Sequence, residues 1–139
     1  MEFAIEIVKK ARSGRILVPL IAAIAVAGCR SVPLQKIYDA PLGHDSAELG
    51  VDEIDEAIWR AGRRQGWTIE RIAPARLRGT WRKYRHMAVV SITHDGETVA
   101  IEYERSEYLL HRGDRIHRNY GRVVLQFIGE IQAELRLEQ

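Results

Sequence analysis

Residues 86–108 read HMAVVSITH-DG-ETVAIEYERSEY, two alternating runs around Asp95-Gly96. Alternation of apolar and polar residues marks half-buried strands, and Asp-Gly between two such runs is a strong signal for a two-residue hairpin turn. With that turn setting the register, Ile92 pairs with Val99, Val90 with Ile101 and Ala88 with Tyr103 on an apolar face. The other face then pairs Thr93–Thr98, Ser91–Ala100, Val89–Glu102 and Met87–Glu104. A one-residue slip would invert the faces, so the apolar pattern and the turn chemistry support the same arrangement.

Upstream of the hairpin, Trp67–Ile72 reads as a short strand, and Arg76–Arg82 as a second one with Leu77 and Trp81 on one side. Ala73-Pro74-Ala75 forms the turn between them. Before these comes a helix from Val51 to Gln65. Val51, Ile54, Ile58 and Ala61 make its apolar stripe, acids crowd its start, arginines crowd its end, and Gly66 follows as the terminating residue. Downstream, a polar loop around Arg112-Gly113-Asp114-Arg115 precedes a second helix from about Asn119 to Leu137. Tyr120, Val124, Phe127, Ile131 and Leu135 form its stripe. The order predicts an α+β domain over residues 51–139: helix, four-stranded antiparallel meander, helix, with both helices on one face of the sheet.

The first 50 residues differ in kind. Lys9-Lys10-Ala11-Arg12-Ser13-Gly14-Arg15 is basic, and the run Ile16 to Gly28 is 13 residues long, uncharged and apolar. As a helix that run would span roughly 20 Å, short of a hydrocarbon core of about 30 Å, so it fits a signal-peptide core better than a spanning helix. Four of the 21 basic residues and two of the 19 acidic ones lie in residues 1–28, which leaves seventeen of each in the remaining 111. That balance gives no support to a nucleic-acid partner, which a basic domain or stripe would suggest. The chain has one cysteine, Cys29, too few for an internal disulfide or a cysteine metal cluster.

Val26-Ala27-Gly28-Cys29 resembles the lipobox of bacterial lipoproteins. The resemblance implies that residues 1–28 are a signal peptide, that the Cys29 thiol takes a diacylglyceryl group, and that Cys29 becomes the mature N-terminus. The alternatives are a plain secretory signal with an incidental cysteine, or an uncleaved anchor. In Gram-negative members an Asp after the cysteine marks inner-membrane retention. Arg30 stands there in this chain, which favours the periplasmic face of the outer membrane. Residues 29–50, with Pro33, Pro41, Gly43 and Gly50, then read as the lipidated cysteine and a tether.

Ala57-Ile58-Trp59-Arg60-Ala61-Gly62, Gly66-Trp67, His86-Met87-Ala88-Val89-Val90, Tyr103, Ser106, Ile116 and Tyr120 together resemble a group of small Gram-negative lipoproteins. No activity is attached to that group, so this likeness implies fold and location rather than chemistry.

Candidate chemistry is sparse. His86, His94, His111 and His117 lack the spacing that places two ligands on one helix face, and His86 and His94 end one strand about 27 Å apart, so no metal or other cofactor is expected. Ser91 and Ser106 have no Gly-x-Ser-x-Gly context for a nucleophile. Glu102 and Glu104 read as a solvated ladder with Arg78 and Arg82. Trp67, Trp81, Tyr103, Tyr108 and Tyr120 are read as mostly core. Any left exposed beside Trp81, Arg82, Lys83, Arg85 and His86 would form a cationic, aromatic rim suited to glycan or lipid head groups. The expectation is a lipid-anchored envelope binding domain, not an enzyme, attached to the membrane through Cys29 and serving an envelope protein, glycan or head-group partner. The alternative is a small-ligand-binding or enzymatic domain with its site near the His- and Tyr-containing strand ends.

Overall fold

In the computed structural model, which describes residues 30–137, Asp95 builds the central turn with its side chain. Its carboxylate accepts the N–H groups of Glu97 (2.9 Å) and Thr98 (2.7 Å). Those two bonds, Thr98 foremost, hold the carboxyl below the ordinary aspartate range. Asp95 and Thr98 therefore flank the turn, and Gly96-Glu97 form its centre. Gly96 sits at φ +90°, a backbone position that suits glycine at the first central place of a hairpin turn. The leader reading over residues 1–28, the lipobox Val26, Ala27 and Gly28, and Cys29 lie outside the described residues.

The strands of this hairpin are β5 (His86–His94) and β6 (Thr98–Glu107). Their register is His94↔Val99, Ile92↔Ile101 and Val90↔Tyr103, two residues away from the expected pairing. A slip of two preserves which side chains face the core, so between the turn and the Val90–Tyr103 pair the faces stand as expected while every partner changes. Beyond Val90 the ladder shifts again, to Val89↔Arg105, leaving Glu104 as the extra residue of a bulge. The bulge brings Tyr103 and Ser106 together, with their hydroxyls 2.8 Å apart.

β3 (Trp67–Ala73) and β4 (Arg76–Lys83) complete the predicted meander. The sheet nevertheless has five strands. The order is β2–β6–β5–β4–β3, and the outer member β2 (Ile37–Pro41) pairs with β6 through Tyr38↔Ile101 and Ala40↔Val99. Two further short strands, β1 (Ser31–Pro33) and β7 (Arg115–His117), form a separate antiparallel pair. Residues 31–33 and 37–41 of the segment read as a tether are thus paired into the domain. Its prolines are no obstacle, because Pro41 closes an edge strand where a missing N–H costs little.

Helices α1 (Val51–Arg64) and α2 (Asn119–Leu137) match the expected elements. Ile54, Ile58 and Ala61 of α1 and Tyr120, Val124, Phe127, Ile131 and Leu135 of α2 share one core cluster with Trp67, Leu77, Val90, Ile92, Val99 and Ile101 of the sheet. Val51 is the exception and is largely exposed. Gly62 allows the close approach of α1 to β3. A Cβ there would run into the Ile69 side chain, its Cδ1 2.8 Å away. Trp67 stacks on Phe127 with ring centroids 5.1 Å apart. Tyr120 meets Tyr103 edge-on at 5.4 Å and Tyr38 at 6.4 Å, which ties β2 to α2.

Candidate functional site

Where β4 turns into β5, the chain crosses from Lys83 to His86 beside the start of α2. Trp81, Arg82, Lys83 and His86 there line a groove of about 620 Å³, joined across it by Asn119 and Arg122. Trp81 is buried and serves as floor rather than rim, while Arg82 and Lys83 at the end of β4 are exposed. His86 is half-buried, with Nδ1 2.7 Å from the Tyr108 carbonyl. Arg85 does not line the groove; its guanidinium lies over the Tyr108 ring, 5.4 Å from the centroid. Four of the five expected rim residues therefore converge. Asn119, Arg122 and Gln126 join them from α2, a convergence that spacing along the chain could not display.

Among the described residues, no carboxylate lines this groove. Arg82, Lys83 and Arg122 have no ion-pair partner among the described residues, whereas Arg64, Arg71, Arg78 and Arg105 each have one. The expected cation ladder on the open sheet face is present in part, as Arg78 Nε to Glu104 Oε2 at 3.4 Å. The groove thus combines uncompensated positive charge, amide hydrogen-bonding groups and an indole floor. Chemically, that combination can hold an anionic polar group.

His117 sits on the same end of the fold. Its Nδ1 accepts the Asn119 N–H at 3.1 Å, covering one of the free amides that begin α2. Burial, then the charges of Arg118, His86, Arg30 and Arg122, hold its pKa below the ordinary histidine value. His111 packs its ring against Tyr103 at 5.1 Å. Among the described residues, no group of three or more His, Cys, Asp or Glu is placed to hold a metal ion.

At the other end of the sheet lies a second polar cluster that the sequence did not single out. His94 Nε2 is 2.6 Å from Asp55 Oδ1, and Arg71 Nε is 2.9 Å from Asp55 Oδ2. Both the His94 and Asp55 side chains are almost fully buried. An open cleft of about 490 Å³ adjoins them, lined by Asp52, Asp55, Glu56, Trp59, Arg71 and Leu77. His94 itself does not line that cleft, so the pair fastens α1 to the hairpin rather than presenting an imidazole to a bound molecule. A further buried carboxylate, Glu134, bonds Arg60 at 3.1 Å and lies 3.1 Å from Arg64, clamping α1 to α2.

Comparison with protein-family models, with curated proteins and with solved structures finds no match for this chain. No helix among the described residues is long and apolar enough to cross a membrane.

Proposed function

We propose that this chain is a lipid-anchored, non-enzymatic binding domain of the cell envelope. Acyl chains on Cys29 hold it to the membrane, at the periplasmic face of the outer membrane, and its groove takes an anionic group of a glycan or lipid head group. The lipobox-like Val26-Ala27-Gly28-Cys29 and the basic, apolar leader support the address. The observation that carries the binding reading is the groove itself: Arg82, Lys83, His86 and Arg122 gather over Trp81 with no acidic side chain among them. A charged hydrogen bond to an anion contributes about 1.5–3 kcal/mol, so two or three such contacts suffice for a specific site.

Reversing two of these charges, Arg82→Glu with Lys83→Glu, is the test. Both side chains are exposed, so the fold is kept. Binding to phosphorylated head groups and phosphorylated glycans, measured by calorimetry at low salt, is expected to fall at least tenfold and to weaken as salt rises. Binding that is unchanged by the double reversal removes this reading.

A second reading has one observation in its favour, the cleft beside Asp55 with the half-exposed Trp59 on its wall. It makes the chain a small-ligand or enzymatic domain acting at the His94 end of the strands. Saturable change in Trp59 fluorescence with a small ligand, indifferent to the Arg82 and Lys83 reversal, would support it.

A further inference from the structure

Three large side chains project from one end of the domain: Tyr84 is 93% exposed, Tyr108 65% and Leu110 53%. Each lies at positive φ, 56°, 55° and 54° respectively. Bulky residues in the left-handed region are strained, and an exposed apolar side chain gains no packing in return. At Tyr84 the positive φ belongs to the two-residue turn between the paired Lys83 and His86. Glycine or asparagine meets that geometry at lower cost, so the turn's backbone does not account for a bulky exposed ring there.

The three share one place. Arg85, next in the chain to Tyr84, covers the Tyr108 ring, and His86 reaches the Tyr108 carbonyl. Leu109, between Tyr108 and Leu110, accepts the His117 N–H at 2.7 Å. The described chain also starts here. Ser31 pairs with His117, and Arg118 donates its N–H to the Arg30 carbonyl at 3.0 Å. Arg30 and Arg118 add their charge to that of Arg82, Lys83 and Arg122, and none of these five has an ion-pair partner among the described residues. The opposite end of β5, about 27 Å away, carries Asp52, Glu56, Asp95 and Glu97 near the His94–Asp55 pair, together with Arg71, ion-paired to Asp52 and Asp55, and Arg76 opposite Thr93. Acids outnumber the two arginines at that end, while at this end the unpaired cations outnumber Glu107, which is itself paired with Arg105, so charge is divided along the strands.

We propose that this end is a membrane-docking surface, with Tyr84, Tyr108 and Leu110 entering the interfacial zone of an anionic bilayer while the surrounding arginines and Lys83 meet head-group phosphates. Tyrosine suits that zone because its ring is apolar and its hydroxyl stays wet. Each cation near an anionic surface strengthens association about fivefold, and the acidic pole is kept away from the same surface. The orientation agrees with the anchor. Cys29 directly precedes Arg30, and residues from Ser31 on are paired into the fold, so an acylated Cys29 holds this end, with no tether, against the bilayer. That last step rests on the acylation proposed above; the aromatic and cationic surface stands without it.

The test uses the full-length lipidated protein in vesicles of phosphatidylethanolamine and phosphatidylglycerol. An acylated Cys29 leaves an introduced cysteine as the one free thiol, since the chain has a single Cys. A fluorophore placed by Leu110→Cys is expected to be quenched several-fold more by nitroxide-bearing lipid than one placed by Glu97→Cys at the far end. Adding Tyr84→Asp, or replacing the anionic lipid by phosphatidylcholine, is expected to reduce that difference. Equal quenching at both sites overturns the proposal. Protection of the 110 label without lipid overturns it as well and assigns the surface to a protein partner. The mass of the N-terminal peptide reports the anchor separately. An acylated sample with the 110 label unquenched ends the docking proposal and spares the anchor. A Cys29→Ser chain whose 110 label is preferentially quenched by added vesicles keeps the docking without the anchor.

Discussion

His94 of β5 donates from Nε2 to Oδ1 of Asp55 on α1 across 2.6 Å, with side chains only 1% and 4% exposed. A carboxylate only accepts, so the proton of this bond belongs to the imidazole. The bond joins the first helix to the hairpin end, and Asp55 also takes the Arg71 guanidinium and the Ala75 N–H. Removing one member of a buried polar pair leaves the other uncompensated, at a cost of about 3–5 kcal/mol. Asp55→Ala is expected to destabilise the domain by that order in urea unfolding. His94→Leu, which removes the partner without stranding Asp55 from Arg71, is expected to cost less. Equal small effects would show that the pair is incidental.

Stability should depend on pH through His117. Its pKa is lowered in the folded chain by burial and by Arg118, His86, Arg30 and Arg122. The unfolded chain therefore binds the proton more readily. Stability is fully present above the ordinary histidine value of about 6.5 and is lost as pH falls below it toward the folded value. Protonation also removes the lone pair that accepts the Asn119 N–H. Thermal unfolding at about pH 7.5 and about pH 5.5, either side of that value, should show a smaller loss in His117→Gln than in the parent chain. An identical loss in both would contradict the assignment.

Two glycines give changes of opposite sign. Gly62→Ala drives a methyl into Ile69 and should destabilise by about 1–3 kcal/mol. Gly129, inside α2, has nothing within 4 Å of a built Cβ. Gly129→Ala should therefore stabilise by about 0.5–1 kcal/mol, from reduced freedom of the unfolded chain. Denaturant midpoints read both.

Tyr120 makes ring contacts on two sides, yet its hydroxyl is buried with no hydrogen-bond partner among the described residues. Burial, aided by Tyr38 and Tyr103, raises its pKa well above the ordinary tyrosine value. Tyr120→Phe keeps the packing and removes a buried unsatisfied group, so it should be neutral or stabilising by about 1 kcal/mol. Tyr120→Ala should cost about 3–5 kcal/mol, as truncation of a buried aromatic does. A destabilising Tyr120→Phe would mean that the hydroxyl has a partner in solution.

What the sequence disclosed follows from parity and periodicity. Both helices, the four strands of the meander and most of their inward faces were legible because each rests on a local repeat of two or of 3.6 residues. The hairpin register was misplaced by two because the Asp95 side chain, not its backbone position, closes the turn. The fifth strand escaped notice because Ile37–Pro41 is a short edge strand whose Pro41, with Gly43 just after it, resembles a linker signal. Trp81, Arg82, Lys83 and His86 were legible as a cluster because they are neighbours in sequence. Arg122 and Asn119 were not, since only the packing of α2 on the sheet brings them to the groove. Arg85 fell outside the groove because the turn directs it over Tyr108.

The central claim is that the domain lives on a membrane through Cys29. Mass spectrometry of the N-terminal peptide of protein isolated from its own cells tests it most directly. The account predicts a peptide beginning at Cys29 and carrying a thioether-linked diacylglyceryl group. A peptide retaining residues 1–28, or an N-terminal Cys29 with a free thiol, would contradict it.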